Sequence, residues 1–114
     1  MKRTIILLNL ALIILAGCSP RAKVTSSQNL KDTGKLEEAL TTINDAIDPS
    51  NEKAEKTLTW PRTWEVRGEI YQAIYQSEDE SVKSKVDDPL TEAYESYKKA
   101  LELDEKDRFS NSLK

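Results

Sequence analysis

Trp60-Pro61-Arg62-Thr63-Trp64-Glu65-Val66-Arg67-Gly68-Glu69-Ile70-Tyr71 is the stretch whose reading decides the fold. Proline suits the first turn of a helix, where its missing N–H costs nothing, so a helix opens just after Trp60. Trp64, Gly68, Tyr71 and Tyr75 then recur on one side at helical spacing, with Val66, Ile70 and Ile74 adjoining them. An apolar arc this wide predicts a helix packed on both of its neighbours.

Two more segments carry the same period. Leu36, Ala39, Leu40, Ile43, Ala46 and Ile47 make one stripe, closed by Pro49. Asp88-Pro89 pairs an N-cap acid with a first-turn proline and opens a stripe of Leu90, Ala93, Tyr94, Tyr97, Ala100 and Leu101. Residues 76–87 lie between the second and third helices, with room for a helical turn over residues 80–86. No run alternates as a strand does, and glycine is scarce at three residues. The expected fold class is all-α.

The first and third stripes match each other. Leu36-Glu37-Glu38-Ala39 aligns with Leu90-Thr91-Glu92-Ala93, Ile43 with Tyr97, Ala46 with Ala100 and Ile47 with Leu101, at an offset of 54 residues throughout. Self-similarity at a fixed offset in helices is the mark of a solenoid. The helix from Trp64 to Tyr71, followed by Ala93-x₃-Tyr97-x₂-Ala100, resembles the tetratricopeptide repeat. That resemblance implies antiparallel helix pairs in a short α-solenoid. It makes Gly68, Ala93 and Ala100 points of close helix approach, and Trp64, Tyr71 and Tyr97 the large residues between them. Residues 34–49 then look like the second helix of an earlier repeat, with a degenerate first helix near 22–33.

The departures from the family pattern are specific. Its unit is about 34 residues, so the longer offset puts insertions at the helix junctions. Arg67 stands where the family has leucine, and a buried Arg needs a partner, with a nearby carboxylate expected. The family binds on a concave face built by first helices. On the Trp64 helix this implies Arg62, Glu65, Glu69 and Gln72 as contacts for an extended or helical peptide, although exposed helices carry such charges anyway. The helical domain is expected over residues 30–108. Phe109 and Leu113 have nothing after them to pack on, so residues 109–114 read as the start of a further helix in a longer protein.

The N-terminus carries a different signal. Lys2 and Arg3 precede an apolar run over residues 5–16 and then Leu15-Ala16-Gly17-Cys18. Basic, apolar and small-residue regions in that order make an export signal. A membrane-spanning helix needs about 20 apolar residues, more than this run supplies. Leu-Ala-Gly-Cys resembles the lipobox of bacterial lipoproteins. The resemblance implies a signal peptide over residues 1–17, cleavage between Gly17 and Cys18, and a diacylglyceryl group with acyl chains, palmitate among them, on Cys18. Residues 18–29, polar and rich in small side chains, are expected to be a tether that turns helical near its end. Ser19 rather than Asp follows the cysteine. For a Gram-negative host that implies the outer membrane, facing the periplasm, and for a host with one membrane its outer leaflet.

Composition removes whole classes of function. Without residues 1–17 the net charge moves from −3 to −5, which argues against nucleic acid and against electrostatic adhesion to anionic lipid. There is no histidine, and the single cysteine is taken by the anchor, so His-based triads and His-ligated zinc are excluded. Glu37-Glu38, Asp87-Asp88 and Glu78-Asp79-Glu80 read as solvated faces and caps, since helix neighbours in sequence do not face each other. The last also lacks the spacing and glycine of a calcium loop. No metal, cofactor or catalytic site is expected. Tyr71, Tyr75, Tyr94 and Tyr97 sit at core spacing, and Trp60 is the aromatic outside it. The sequence therefore predicts a non-enzymatic, lipid-anchored scaffold for an unidentified protein partner at the cell envelope. The alternatives are a glycan-binding lipoprotein with an aromatic site, and a helical adaptor for an activity beyond residue 114.

Overall fold

The computed structural model describes residues 20–112, with side chains from Arg21 to Lys106. Among the described residues the chain is all-helical, as expected. The helices are α1 (Pro20–Asp32), α2 (Leu36–Ala46), α3 (Glu55–Leu58), α4 (Pro61–Gln76), α5 (Glu80–Lys83) and α6 (Pro89–Ser112). None of them is long and apolar enough to cross a membrane. Gly17 and Cys18, on which the expected cleavage and lipidation fall, lie outside the described residues.

α1 agrees with the degenerate helix expected near residues 22–33 and takes the place of most of the tether expected up to residue 29. Residues 20–29 are not an extended linker but most of α1, with Val24 and Ser27 buried. Pro20 occupies the first helical position, and the Ser27 hydroxyl folds back to donate to Lys23 O at 2.9 Å. The helix stops at Gly34, whose φ of 85° suits only glycine without strain. There Lys35 N–H donates to Leu30 O (2.8 Å) and Gly34 N–H to Lys31 O (3.0 Å). This reciprocal pair closes the orphan carbonyls of a helix end and turns the chain straight into α2.

α2 buries Ala39, Ile43 and Ala46 completely, three members of its expected stripe. An Asx turn follows, in which Asp48 Oδ1 accepts from Ser50 N–H and from the Ser50 hydroxyl, both at 2.9 Å. Those two donors hold the Asp48 carboxyl below its ordinary value. The single turn α3, unforeseen from periodicity, is tied back by Thr57, whose buried hydroxyl donates to Ala54 O (2.8 Å) and also reaches Ala46 O. Trp60 is extended and Pro61 starts α4, as residues before proline and prolines at helix starts prefer.

Asp79 caps α5 by accepting from Ser81 N–H (3.0 Å), within the segment where a turn was expected. Asp88 caps α6 by accepting from Thr91 N–H (3.2 Å) and from the Thr91 hydroxyl (2.8 Å). α6 then runs unbroken to Ser112. Residues 109–112 are thus the last turn of α6, not the start of a separate helix, because no proline or glycine interrupts the chain after Pro89.

Contacts order the helices into two hairpins. α1 packs on α2, and α4 packs on α6 in the most extensive contact of the fold. Arg21 over the Trp60 ring and Lys31 beside Glu69 (3.5 Å) place α1 and α4 side by side and parallel. One core joins the hairpins: Val24, Ala39, Ile43 and Ala46 from the first, Val66, Ile70, Tyr71, Ile74 and Ala93 from the second. On α4 the residues Thr63, Val66, Ile70 and Ile74 are all fully buried, so the wide apolar arc does face two neighbours.

Candidate functional site

The close approach of α4 to α6 is made at Gly68. A Cβ placed there would lie 2.7–2.9 Å from three ring carbons of Tyr97, so the tyrosine ring lies on bare backbone. The Tyr97 hydroxyl then donates to Gln72 Oε1 at 2.8 Å. Burial, with Glu69 and Glu65 nearby, raises the Tyr97 phenol above its ordinary value. Trp64 is half-buried and its Nε1–H donates to Leu58 O at 2.9 Å, pinning α3 to the start of α4. Tyr71 and Ala93 are buried and Ala100 is half-buried. Of the six residues picked out for packing, Gly68 and Tyr97 approach each other directly, Tyr71 and Ala93 join the core, and Trp64 and Ala100 are half-buried.

Arg67, expected to be buried beside a carboxylate, has a side chain only 16% exposed. Its guanidinium donates to Ser96 Oγ (2.8 Å) and Asn44 Oδ1 (3.2 Å) and stands 3.4 Å from both Glu92 and the Tyr71 hydroxyl. It also stacks 4.8 Å from the centroid of Tyr71. The expected carboxylate partner is Glu92. The network joins α2, α4 and α6 and accounts for the buried Ser96, a residue no hydrophobic pattern marks.

That network sets the rotation of α6 and corrects its expected stripe. The inward line is Ala93, Ser96, Tyr97 and Ala100. Leu90 (47%), Tyr94 (63%) and Leu101 (60%), all assigned to the core by periodicity, are exposed. Tyr75, on α4, is exposed as well, so two of the four tyrosines are surface residues. Trp60, expected outside the stripe, is half-buried with its ring under the Arg21 guanidinium at 4.5 Å.

The four residues expected to meet a partner do share one face of α4, but they are already engaged. Arg62 pairs with Glu65 (2.5 Å) and approaches Glu69 (3.8 Å), which also pairs with Lys31 of α1 (3.5 Å). The Asp32 carboxylate, at 3.0 Å, and Glu69 raise the Lys31 ammonium above its ordinary value. Gln72 receives the Tyr97 hydroxyl. Beside them a groove of about 450 Å³ is lined by Pro61, Glu65, Tyr97, Ala100, Leu101 and Asp104. Sequence reasoning missed this groove because Leu101 and Ala100 were placed in the core. Its floor is apolar and a carboxylate stands on each side, from α4 and from α6. Among the described residues no cluster of three or more acids or cysteines could hold a metal ion.

No family model, no curated protein and no solved structure matches this chain.

Proposed function

We propose that this protein is a lipid-anchored, non-enzymatic scaffold of the bacterial cell envelope, a tetratricopeptide-like helical repeat that keeps a protein partner close to a membrane. The export signal ending in Leu15-Ala16-Gly17-Cys18 supports the anchor. Parallel α1 and α4, hairpinned to α2 and α6 respectively, support the repeat-like arrangement. Anchoring raises the local concentration of a bound partner, so moderate affinity suffices.

The observation that carries the scaffold reading is the open face of the α4–α6 hairpin. Leu90, Tyr94 and Leu101 form an exposed apolar row on α6 beside the groove at Glu65. Rows of large apolar side chains on a small domain mark interaction surfaces. A photocrosslinking amino acid at Leu101 or Tyr94 in membranes is expected to trap one discrete partner, and one at Thr41, exposed on α2, none. The double substitution Glu65→Ala, Glu69→Ala should lower that yield. Equal labelling from Thr41 and Leu101 would count against a dedicated face. The anchor is checked separately by the acyl mass on Cys18 and its loss in Cys18→Ser.

A further inference from the structure

Only Ser19 separates Cys18 from Pro20, where α1 begins. Two peptide steps span at most about 7 Å, so a group on Cys18 stays within that reach of the first turn of α1 whatever their conformation. α1 and α4 run parallel, so the start of α1, Trp60 and the start of α4 lie at one end of the helical stack. α6 is antiparallel to α4, and its final turns extend toward that same end past the groove shared by Pro61 and Asp104. There the half-buried Trp60 ring lies beside the guanidinium of Arg21. An indole next to a long cationic side chain is a pairing that settles at headgroup depth, where one part meets acyl chains and the other meets water.

We infer that this end of the stack rests on the phospholipid surface, with Trp60 and Arg21 at headgroup depth and no free tether between anchor and domain. The inference rests on the lipid-anchor reading of Cys18. Nearby charges are mixed: exposed Lys53 and Lys56 accompany Asp48, Glu52 and Glu55, Lys23 pairs with Asp45, and α6 adds Asp104, Glu105 and Lys106. Contact is therefore set by the short link and the indole rather than by attraction to anionic lipid.

The test uses the full-length, processed protein in phosphatidylcholine vesicles whose acyl chains are brominated near the headgroup. Trp60 and Trp64 are the two tryptophans, so Trp64→Phe and Trp60→Phe isolate each in turn. Bromolipid is expected to quench Trp60 more strongly than Trp64. A Gly/Ser spacer of about ten residues inserted between Ser19 and Pro20 has a root-mean-square reach of about 18 Å. It should abolish the quenching while the protein still sediments with vesicles. Unquenched Trp60 in acylated, vesicle-bound protein, or quenching that survives the spacer, overturns the inference and leaves the anchor intact. Lack of an acyl mass on Cys18 overturns both.

Discussion

On the flank of α4 that joins α1 and α2, Val66, Ile70 and Ile74 are fully buried against Val24, Ala39, Ile43 and Ala46. On the flank that meets α6, contact is made by Tyr97 over the bare backbone of Gly68 and by the hydrogen-bonded guanidinium of Arg67. The first contact is mainly closely packed aliphatic side chains, which tolerate no gap, with Lys31–Glu69 and Arg67–Asn44 as polar contacts across it. The second is directional and leaves apolar side chains of α6 at its edge in water. Both flanks thus hold the fold together, the α6 side through the most extensive contact, and the α6 side also leaves apolar side chains exposed.

The sharpest way to break this contrast is a pair of truncations. Ile70→Ala is expected to cost about 2–5 kcal/mol, and Leu101→Ala less than about 0.5 kcal/mol, read from urea unfolding. Comparable losses would mean that the two flanks are not different in kind.

Next in size is Gly68→Val. Its branches would force the Tyr97 ring aside and break the bond to Gln72, at an expected cost of about 1–3 kcal/mol by the same assay. Pairing it with Tyr97→Ala should recover part of the loss. Arg67→Leu makes the position apolar yet leaves the Ser96 hydroxyl buried without its Arg67 partner. A loss of about 1–3 kcal/mol is expected, where a purely hydrophobic interface would be stabilised.

The smallest effect is on pH dependence. Lys31 and Tyr97 both hold their protons more tightly in the folded state, Lys31 mainly through Asp32 and Tyr97 mainly through burial. Their contribution is complete below the ordinary values of 10.5 for Lys31 and 10.0 for Tyr97 and is lost as pH rises through the higher folded values. Melting temperature should therefore decline from about pH 10 upward, and less steeply in Lys31→Met. A flat alkaline profile would mean that neither the carboxylates beside Lys31 nor the burial of Tyr97 favours the protonated form in the folded state.

The three principal helices were legible because their starts or stripes are written in local chemistry. Asp88-Pro89 and Trp60-Pro61 mark two starts, and Leu36 to Ile47 gives an unmixed stripe. α1 was legible only through the repeat resemblance, which put a degenerate helix near 22–33, because Val24 and Ser27 stand alone in a polar run, although Pro20 and Gly34 bracket it with a start and a stop signal. The site was misjudged on α6 for a related reason. Periodicity ranks side chains by apolarity, whereas the rotation of α6 accompanies the demand of Arg67 for Ser96 and Glu92 and the fit of Tyr97 to Gly68. A polar requirement two helices away leaves no trace in a hydrophobic stripe.

Pairing between neighbours in sequence also bears on how fast the chain folds. The turn of three residues that ends at Lys35 brings α1 onto α2 with almost no loop to close, so the first hairpin can form as soon as residue 46 is free. The second must bring together the ends of the longer segment over residues 77–88, which α5 partly stiffens. Contacts this local place helical proteins in the microsecond-to-millisecond range. On loop length alone the first hairpin is expected to close first, and its Ala39, Ile43 and Ala46 are the residues that α4 covers in the folded state.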